Sequence, residues 1–341
     1  MPKILVIRFS SIGDIVLTTP VLRCIKEQVG DASIHYLTRR PYVSLLQANP
    51  HIDQIHAFDD DLEDTLRRLR KEQFDFVVDL HHNLRTWRVK RSLKRPGASF
   101  HKLNIAKWLM VRFKWNRLPD EHIVQRYIRA ASGLGVIDDG KGLEHFIPPD
   151  TNDQRDLLPD TYRNGFIALV IGAQHATKKL PLQKLQELLD KLSVYRTGVV
   201  IIGGPEDASE AEALCTNRQQ VFSMCGISSL QESALLIKHA VVVITHDTGM
   251  MHIAAALKKQ VISVWGNTIP EFGMYPYFGS QNTLYEQRAA ELLIENTSLS
   301  CRPCSKIGFE ACPKGHFRCM MDLNMEAIAR KAGELNATAN Q

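Results

Sequence analysis

Residues 241–257 form a strand–turn–helix pattern that constrains the fold of this chain more than any other stretch. The first part, VVVIT, is a β-branched run suited to one buried parallel strand. HDTGM predicts a turn, and the alanine-rich HIAAAL predicts a helix. Asp247 and Thr248 are types that cap helices, and Gly249 lets a ligand approach the backbone. The helix start suits a phosphate, as in a nucleotide-diphosphate pocket, although an ordinary capped turn fits the same residues.

Strand and helix patterns alternate along both halves of the chain. In the first half the strand candidates are KILVIRF, SIHYLTR, QIHAF and FDFVVDL, and the helical stretches include IVLTTPVLRCIKEQV and LEDTLRRLRKEQ. In the second half the strands are FIALVIGA, TGVVIIGG, VVVIT and QVISVWG, with helices at LQKLQELLDKL and ASEAEALC. This alternation predicts parallel sheets with right-handed crossovers. Ligands of such sheets bind outside the carboxyl ends of the strands.

The chain is long enough for two domains, with 341 residues. Residues 147–165 are rich in Pro, Asp and Asn and lack a hydrophobic period, so they are the best boundary. We therefore predict an α/β protein with two Rossmann-like, doubly wound domains that face a central cleft. Their expected ranges are 1–155 and 156–341, and the last helix is expected to pack back on the first domain.

Composition places the chain among soluble globular proteins, because 44% of its residues are hydrophobic and 23% are charged. No apolar run approaches the roughly 20 residues of a membrane span, and MPKILVIRF lacks the architecture of a signal peptide. We expect a cytoplasmic protein, in which cysteines are thiols or metal ligands rather than disulfides. Four cysteines near the end predict either a structural zinc site, with His316 nearby, or reduced packing residues: Cys301, Cys304, Cys312 and Cys319.

The positive charge is concentrated in one segment. Residues 1–150 carry 24 Lys and Arg against 18 Asp and Glu, and residues 81–117 hold eleven of these cations and no acid. Tryptophans and phenylalanines are interleaved with the cations. The segment suits nucleic acid, an anionic membrane surface with a lipid-linked substrate, or a solvated helical face. Because no recognisable nucleic-acid motif accompanies it, we rank nucleic acid last and expect no such partner.

Polar residues follow the first strand and a later one in the first half. Ser10, Ser11 and Gly13 belong to the SSIGD loop, where Asp14 is either a structural helix cap or a general base. The second group, 79–85, contains two adjacent histidines. They lack a third ligand at a recognisable spacing, so a metal site there is disfavoured.

Polar residues also follow the strands of the second half. Lys178 and Lys179 come after the first strand, and a lysine there could neutralise a diphosphate. Glu206 comes after the second strand, where a carboxylate could pair with ribose hydroxyls. Each signal alone is weak, because loops that follow strands are often polar. Their shared position at strand ends strengthens the prediction of a nucleotide site.

Taken together, the motifs resemble glycosyltransferase family 9, the ADP-heptose:lipopolysaccharide heptosyltransferases. The matching pieces are RFSSIGDIVLTTP, GAQHATKKLP, THDTGMMHIAAAL followed by VWGNTIPEFG, and the final cysteine block. The resemblance spans nearly the whole chain. It implies a GT-B fold with an acceptor-binding N-terminal domain and a donor-binding C-terminal domain. It also implies inverting transfer of a heptose from ADP-heptose to the inner core of lipopolysaccharide, without a metal or another cofactor.

The resemblance also implies residue roles. Asp14 matches the proposed general base, Lys178 matches the lysine on the donor phosphates, and both are expected to be catalytic. The remaining donor-binding positions are Glu206, Asp247, Thr248, Gly249, Met250 and His252, where Asp247 would contact the sugar. The expected acceptor-binding residues are Ser10, Ser11, Gly13, Arg85 and Arg88.

Departures from the family pattern leave the donor sugar and its base open. Met250 stands where the family has leucine, and Leu180 with Pro181 replaces Trp-Pro. A transferase or epimerase acting on another nucleotide sugar, or a non-catalytic relative, therefore remains an alternative. The implied acceptor is the phosphorylated, acidic lipid A–Kdo inner core, which the basic segment suits. We also expect peripheral association with the anionic inner face of the inner membrane.

Overall fold

The computed structural model describes residues 1–58, 61–281 and 291–339. The chain divides into two compact units. Unit 1 holds residues 1–103, 121–148 and 279–281, and unit 2 holds residues 104–120, 149–278 and 282–341. The chain thus crosses between the units near the predicted boundary segment. Residues 104–120, which we expected in the N-terminal domain, cluster with unit 2.

Unit 1 is built on a five-stranded parallel sheet of order β3-β2-β1-β4-β5. Its strands are β1 (Lys3–Ile7), β2 (Ser33–Arg39), β3 (Gln54–Phe58), β4 (Phe76–Asp79) and β5 (Gly97–Ser99). Its helices are α1 (Ile12–Val16), α2 (Thr19–Gln28), α3 (Leu62–Lys71), α4 (Leu84–Leu93) and, after α5 (Asn104–Phe113) of unit 2, α6 (Ile123–Ala130).

β1 is the central strand of this sheet, because it pairs with a strand on each side. Ile4 of β1 lies in register with Ile34 of β2 and with Phe76 of β4. Helices cover such a strand on both faces, which explains the continuous run of hydrophobic residues in KILVI. The strand order changes direction between β1 and β4. The loops that follow these two strands therefore begin at the same point of the sheet edge.

The segment 15–29, predicted as one helix, is two helices. Thr18 ends α1 by donating from its hydroxyl to the Ile15 carbonyl at 2.7 Å. Pro20 has no N–H for the carbonyl of Val16, and the Thr19 hydroxyl donates to that carbonyl instead at 2.8 Å. Pro20 lies in the first turn of α2, a position that tolerates proline.

Unit 2 is built on a six-stranded parallel sheet of order β11-β10-β9-β6-β7-β8. Its strands are β6 (Ile167–Val170), β7 (Val199–Ile202), β8 (Val221–Ser223), β9 (Val242–His246), β10 (Gln260–Trp265) and β11 (Leu293–Glu295). Its further helices are α7 (Leu182–Leu192), α8 (Ala208–Cys215), α9 (Leu230–His239), α10 (Gly249–Ala256), α11 (Arg318–Met321) and α12 (Met325–Ala339). Here the strand order changes direction between β6 and β9.

The last helix, α12, packs within unit 2. Its buried Ile328 and Ala332 belong to the same hydrophobic cluster as Leu185 and Leu188 of α7 and Ile244 of β9. We had expected this helix to lie against the N-terminal domain. The apolar residues of α12 are instead buried in the core of the unit that contains the β6–β9 switch point.

Candidate functional site

The loops after β6 and β9 bring two predicted donor residues together. Lys178 follows β6 and Asp247 follows β9, and the Lys178 Nζ lies 2.6 Å from Asp247 Oδ2. The same ammonium donates to the Asp247 backbone carbonyl at 3.3 Å. Both side chains are mostly buried. The pair lies at the switch point of the unit 2 sheet, where ligands of open α/β sheets bind.

The start of α10 lies directly beside this pair. Thr248 is the N-cap residue, but its hydroxyl lies 3.4 Å from the Thr245 hydroxyl and makes no capping hydrogen bond to the helix. Gly249 then opens the helix without a side chain. A helix start with N–H groups that no side chain caps presents donors and a positive dipole end to an anion. This arrangement suits a diphosphate between α10 and Lys178.

Thr268 is a residue of this site that sequence patterns did not single out. It lies in the loop after β10, and its hydroxyl donates to Asp247 Oδ2 at 2.9 Å. The Asp247 carboxylate is therefore held by Lys178 and Thr268 together. One threonine in a polar loop gives no signal of its own. Thr268 does lie within VWGNTIPEFG, which resembles the family only as a whole motif.

Arg302, from the cysteine block, fixes the loop that carries Thr268. Its guanidinium donates to the carbonyls of Gly266 and Thr268 at 2.5 and 2.9 Å and pairs with Glu295 at 2.9 Å. Close approach also requires a glycine here, because a Cβ at residue 266 would lie 2.6 Å from the Thr177 carbonyl. The cysteine block therefore supports the donor site through its arginine.

The two adjacent lysines after β6 have different partners. Lys179 Nζ lies 2.5 Å from the carboxylate of Asp207, which is buried and also accepts from the Gly204 N–H. Burial opposes the charge of Lys179, but the hydrogen bond and charge of Asp207 raise its pKa. Lys179 thus links the loops after β6 and β7, whereas Lys178 faces the switch point. Glu206 lies beside Asp207 with an exposed side chain.

Two buried histidines lie close to the start of α10 in the sequence, one at the end of β9 and one on the helix itself. His246 ends β9, and its Nε2 accepts a hydrogen bond from the Leu180 N–H at 3.0 Å. Burial, followed by the charge of Lys179, lowers its pKa to about 3, so this imidazole is neutral and joins the loop after β6 to the end of β9. His252, predicted to bind the donor, is buried on α10, and Met250 is half-buried. The helix start therefore presents Gly249 and Met250 more openly than His252.

In unit 1, Asp14 is both a helix cap and one half of an ion pair. Its Oδ2 accepts from the backbone N–H and the hydroxyl of Ser11 at 3.2 and 2.9 Å. Its Oδ1 lies 2.8 Å from a guanidinium nitrogen of Arg8. The sequence left a structural cap and a general base as alternatives for this residue. Ser11 and Arg8 thus hold both oxygens of the Asp14 carboxylate in place, and its role as a base stays a prediction.

Arg8 was not selected from the sequence, yet it organises this site. Its Nη1 donates to the Leu80 carbonyl, after β4, at 2.6 Å and to the Tyr127 hydroxyl at 3.0 Å, and its Nε donates to the Ser10 carbonyl at 2.7 Å. Burial opposes its charge, but Asp14 raises the pKa of Arg8 above its ordinary value. The sequence did contain one sign of this role, because Arg8 is a cation that directly follows a buried strand.

The residues after β4 are mainly structural. Asp79 is buried, and its Oδ1 accepts from the backbone N–H groups of His81 and His82 at 3.0 and 2.7 Å. Burial, and then the charge of Arg8, lowers the pKa of His81 to about 4. His82 Nδ1 lies 2.9 Å from the Phe100 carbonyl. The two histidines therefore contact different neighbours.

The predicted acceptor arginines lie on α4. The Arg85 guanidinium lies 6.0 Å from the centre of the Phe58 ring, and Arg88 pairs with Glu63 of α3 at 2.7 Å. Their acceptor-binding role stays a prediction, as do the roles of Ser10, Ser11 and Gly13. Of these, Ser11 contacts Asp14 directly.

Within the described ranges, potential metal ligands converge in groups of three at two places, His35 with His56 and Glu72, and Cys24 with Asp138 and Asp139. In the cysteine block, Cys301 Sγ lies 3.9 Å from His316 Nε2, and the Cys304 thiol donates to the Cys301 carbonyl. Burial raises the pKa of Cys304 and of Cys319 to about 11. Zinc binding by this block stays a prediction.

Comparisons with known proteins agree with this architecture. The model of the family described as glycosyltransferase family 9 (heptosyltransferase) matches residues 64–299. Lipopolysaccharide heptosyltransferase 1 of Campylobacter coli is 28% identical over 78% of this chain and 84% of its own length. Lipooligosaccharide heptosyltransferase 2 of Haemophilus influenzae is 23% identical over 98% of this chain and 99% of its own length.

Solved structures show the same fold. A family 9 glycosyltransferase from Veillonella parvula has a TM-score of 0.75 at 20% identity and covers 99% of this chain and 98% of its own. The Escherichia coli ADP-heptose lipopolysaccharide heptosyltransferase II has a TM-score of 0.72 at 18% identity, over 99% and 100% of the two chains. The predicted GT-B fold with two Rossmann-like domains is confirmed. The family model matches most of the chain, so this protein belongs to glycosyltransferase family 9 and is a glycosyltransferase of the heptosyltransferase class.

Proposed function

We propose that this enzyme moves a heptose from ADP-heptose to the inner core of lipopolysaccharide, by an inverting reaction that uses no metal. The observation that carries this proposal is the Lys178–Asp247 pair, with 2.6 Å between Nζ and Oδ2, beside the uncapped start of α10. The names of the relatives support the lipopolysaccharide acceptor. An Escherichia coli heptosyltransferase of the same fold was solved with ADP, which supports the donor nucleotide.

On the donor side, the chemistry is the departure of a nucleoside diphosphate from the anomeric carbon. Lys178 and the N–H groups at the start of α10 would stabilise the negative charge that develops on the diphosphate. Asp247, held by Thr268, would accept hydrogen bonds from sugar hydroxyls. Glu206, in the turn after β7, would bind the nucleoside, and Thr248, Gly249, Met250 and His252 would form the wall of the phosphate site.

On the acceptor side, a sugar hydroxyl is a poor nucleophile until its proton is removed. We assign that task to the Asp14 carboxylate, which Arg8 and Ser11 hold in place. The hydroxyl oxygen forms a bond to the anomeric carbon as the bond to the diphosphate breaks, and the proton passes to Asp14. Attack from the side opposite the leaving group inverts the configuration at that carbon.

The proposed acceptor is lipid-linked and anionic, namely the lipid A–Kdo inner core. Residues 81–117 contain eleven cations and no acid, which supports an anionic substrate. We assign acceptor binding to residues 1–155 and donor binding to residues 156–341. We also propose a cytoplasmic enzyme that associates peripherally with the inner membrane.

Calorimetric titration with ADP, UDP and GDP tests the donor. We expect ADP to bind most tightly, and Lys178→Met to weaken ADP binding by about tenfold or more, which corresponds to about 1.4 kcal/mol. A preference for UDP or GDP would keep the transferase class and discard ADP-heptose. Failure to bind all three would indicate a non-catalytic relative.

The Asp14→Asn variant tests the base separately. It keeps the size of the side chain and removes its basicity, so we expect transfer to fall by about 10² to 10⁴-fold, with ADP affinity unchanged. Transfer is measured in single turnovers with ADP-heptose and a purified, detergent-dispersed acceptor. Wild-type rates in this variant would show that Asp14 is only the cap of α1.

A further inference from the structure

Helix α5, Asn104–Phe113, is apolar but has no buried residue. A surface helix of a globular protein normally directs an apolar stripe to the core and polar residues to solvent. In α5, the apolar residues Leu109, Met110 and Val111 are only half-buried. Hydrophobic burial therefore contributes little to holding α5 on unit 2.

Two lysines attach α5 to unit 2. Lys107 Nζ lies 5.4 Å from the centre of the Phe272 ring. Lys114, directly after the helix, donates to the carbonyls of Cys301 and Pro303 at 3.0 and 2.6 Å. These contacts fix the helix against the loop after β10 and against the start of the cysteine block. They leave the opposite face open.

The open face is aromatic. Ile105 is 77% exposed, Trp108 56%, Phe113 47% and Trp115 61%. Trp108 and Phe113 contact each other at 5.3 Å between ring centres, and Phe113 and Trp115 at 5.4 Å. Ile105 and Trp108 lie one helical turn apart, and the ring contacts continue from Trp108 through Phe113 to Trp115, so the exposed apolar groups form one stripe. Contiguous apolar patches of this kind mark interaction sites.

The charges around the stripe are of one sign. Residues 104–117 contain four cations, Lys107, Arg112, Lys114 and Arg117, and no acid. Tryptophan and phenylalanine flanked by arginine and lysine are typical of a helix that lies in the headgroup region of an anionic bilayer. Across the described ranges, no helix is both long enough and apolar enough to cross a bilayer. The segment therefore suits a surface contact rather than a span.

We propose that residues 104–117 are the membrane-docking segment of this enzyme, and that they lie flat in the headgroup layer of an anionic lipid bilayer. The aromatic stripe enters the boundary between headgroups and acyl chains, while Arg112 and Arg117 contact lipid phosphates. The choice of lipid rests on the proposed lipid-linked acceptor. Nucleic acid would also match the cations, but a nucleic-acid site does not require an isoleucine that is 77% exposed.

Sedimentation with vesicles tests this proposal on the full chain. The vesicles are phosphatidylcholine alone or an equimolar mixture with phosphatidylglycerol. We expect binding to the mixed vesicles, and a loss on the order of tenfold or more in Trp108→Ser/Trp115→Ser. The matched control, Val194→Ser/Ile227→Ser, changes two exposed apolar residues of unit 2 and should bind like the wild type. Arg112→Gln/Arg117→Gln should reduce the preference for the anionic vesicles.

ADP affinity and circular dichroism, measured on each variant, show that the fold is intact. The vesicle assay needs neither donor nor turnover, so absent transfer activity would refute the proposed function and leave this result standing. Equal binding by the tryptophan variant and the wild type would overturn the docking segment. The proposal would also be overturned if the wild type failed to bind vesicles but bound single-stranded DNA. The same holds if the wild type formed a dimer that buries Trp108.

Discussion

The Asp14 carboxylate faces opposing demands at the scale of single residues. A general base needs affinity for a proton, whereas the adjacent Arg8 guanidinium stabilises the ionised form. Arg8 is buried and has three backbone or hydroxyl partners besides Asp14, so its position is fixed. The ion pair therefore keeps Asp14 oriented and charged at the expense of basicity. We regard Arg8 as a positioning residue, because it acts through Asp14.

Replacing Arg8 should change the pH dependence of transfer. In Arg8→Gln the carboxylate loses its cation, so the acid limb of the pH profile of kcat/KM should move to higher pH. Arg8→Lys retains a charge and should leave the limb closer to that of the wild type. Tyr127→Phe, which removes one hydrogen bond to Arg8 but no charge, is the control. An unshifted limb in Arg8→Gln would mean that the residue titrating in the profile is not Asp14.

At the scale of elements, the short loop after β6 carries two adjacent lysines that have different roles. Their adjacency in the sequence does not show this difference. Lys178 pairs with Asp247, whose side chain is 11% exposed, and Lys179 pairs with Asp207, whose side chain is 1% exposed. The first pair lies beside the start of α10, so a ligand can replace it. The second pair is enclosed between two loops, and losing it leaves a buried carboxylate without its cation.

We therefore expect Lys178→Met to act mainly on ADP affinity and Lys179→Met to act mainly on the free energy of unfolding. Lys178→Met should weaken ADP binding and lower the free energy of unfolding less than Lys179→Met does, because Asp247 keeps its hydrogen bond from Thr268. Lys179→Met should lower the free energy of unfolding by on the order of 3 kcal/mol, with a smaller effect on ADP affinity at temperatures below its melting range. Urea unfolding and calorimetry on the same preparations measure both quantities. The assignment fails if the two variants lose ADP affinity equally.

At the scale of the whole molecule, each unit contains a histidine that stays neutral because it is buried. In unit 1, His56 Nε2 lies 2.9 Å from His35 Nδ1, and burial, followed by the charge of His35, lowers the pKa of His56 to about 4. In unit 2, burial lowers the pKa of His246 to about 3. The ordinary value for both is 6.5, so the unfolded chain binds protons that the folded chain does not.

Both units should consequently lose stability in mild acid. Their free energies of unfolding should be highest above pH 6.5 and should fall as the pH drops toward the folded pKa values, by on the order of 1–2 kcal/mol per histidine at pH 5. Urea midpoints at pH 7.5 and pH 5 measure the loss. The variants His56→Gln and His246→Gln should each be less stable at pH 7.5 but lose less between the two pH values. A wild-type midpoint that rises in acid would contradict this assignment.

The sequence by itself determined the local elements and the class of fold. Strands β2 and β3 and helices α7 and α8 match the predicted segments at both ends, because periodicity and capping are properties of neighbouring residues. The three-residue strands β5, β8 and β11 lacked a pattern long enough to recognise. The hydrophobic pattern predicted that Asp14, Lys178 and Asp247 follow strands, and the structure puts all three at switch points. Their chemical roles remain our proposals.

Only the tertiary structure decided which residues share a site. Asp247 and Thr268 lie on different loops, and their contact depends on the strand order β10-β9-β6, which local patterns do not encode. The same holds for Arg8, whose partners come from the loops after β1 and β4 and from α6. Residues 104–120 cluster with unit 2, where Lys114 contacts the Pro303 carbonyl, although their sequence neighbours lie in unit 1. Propensity acts between near neighbours along the chain, whereas a site is assembled by packing between distant segments.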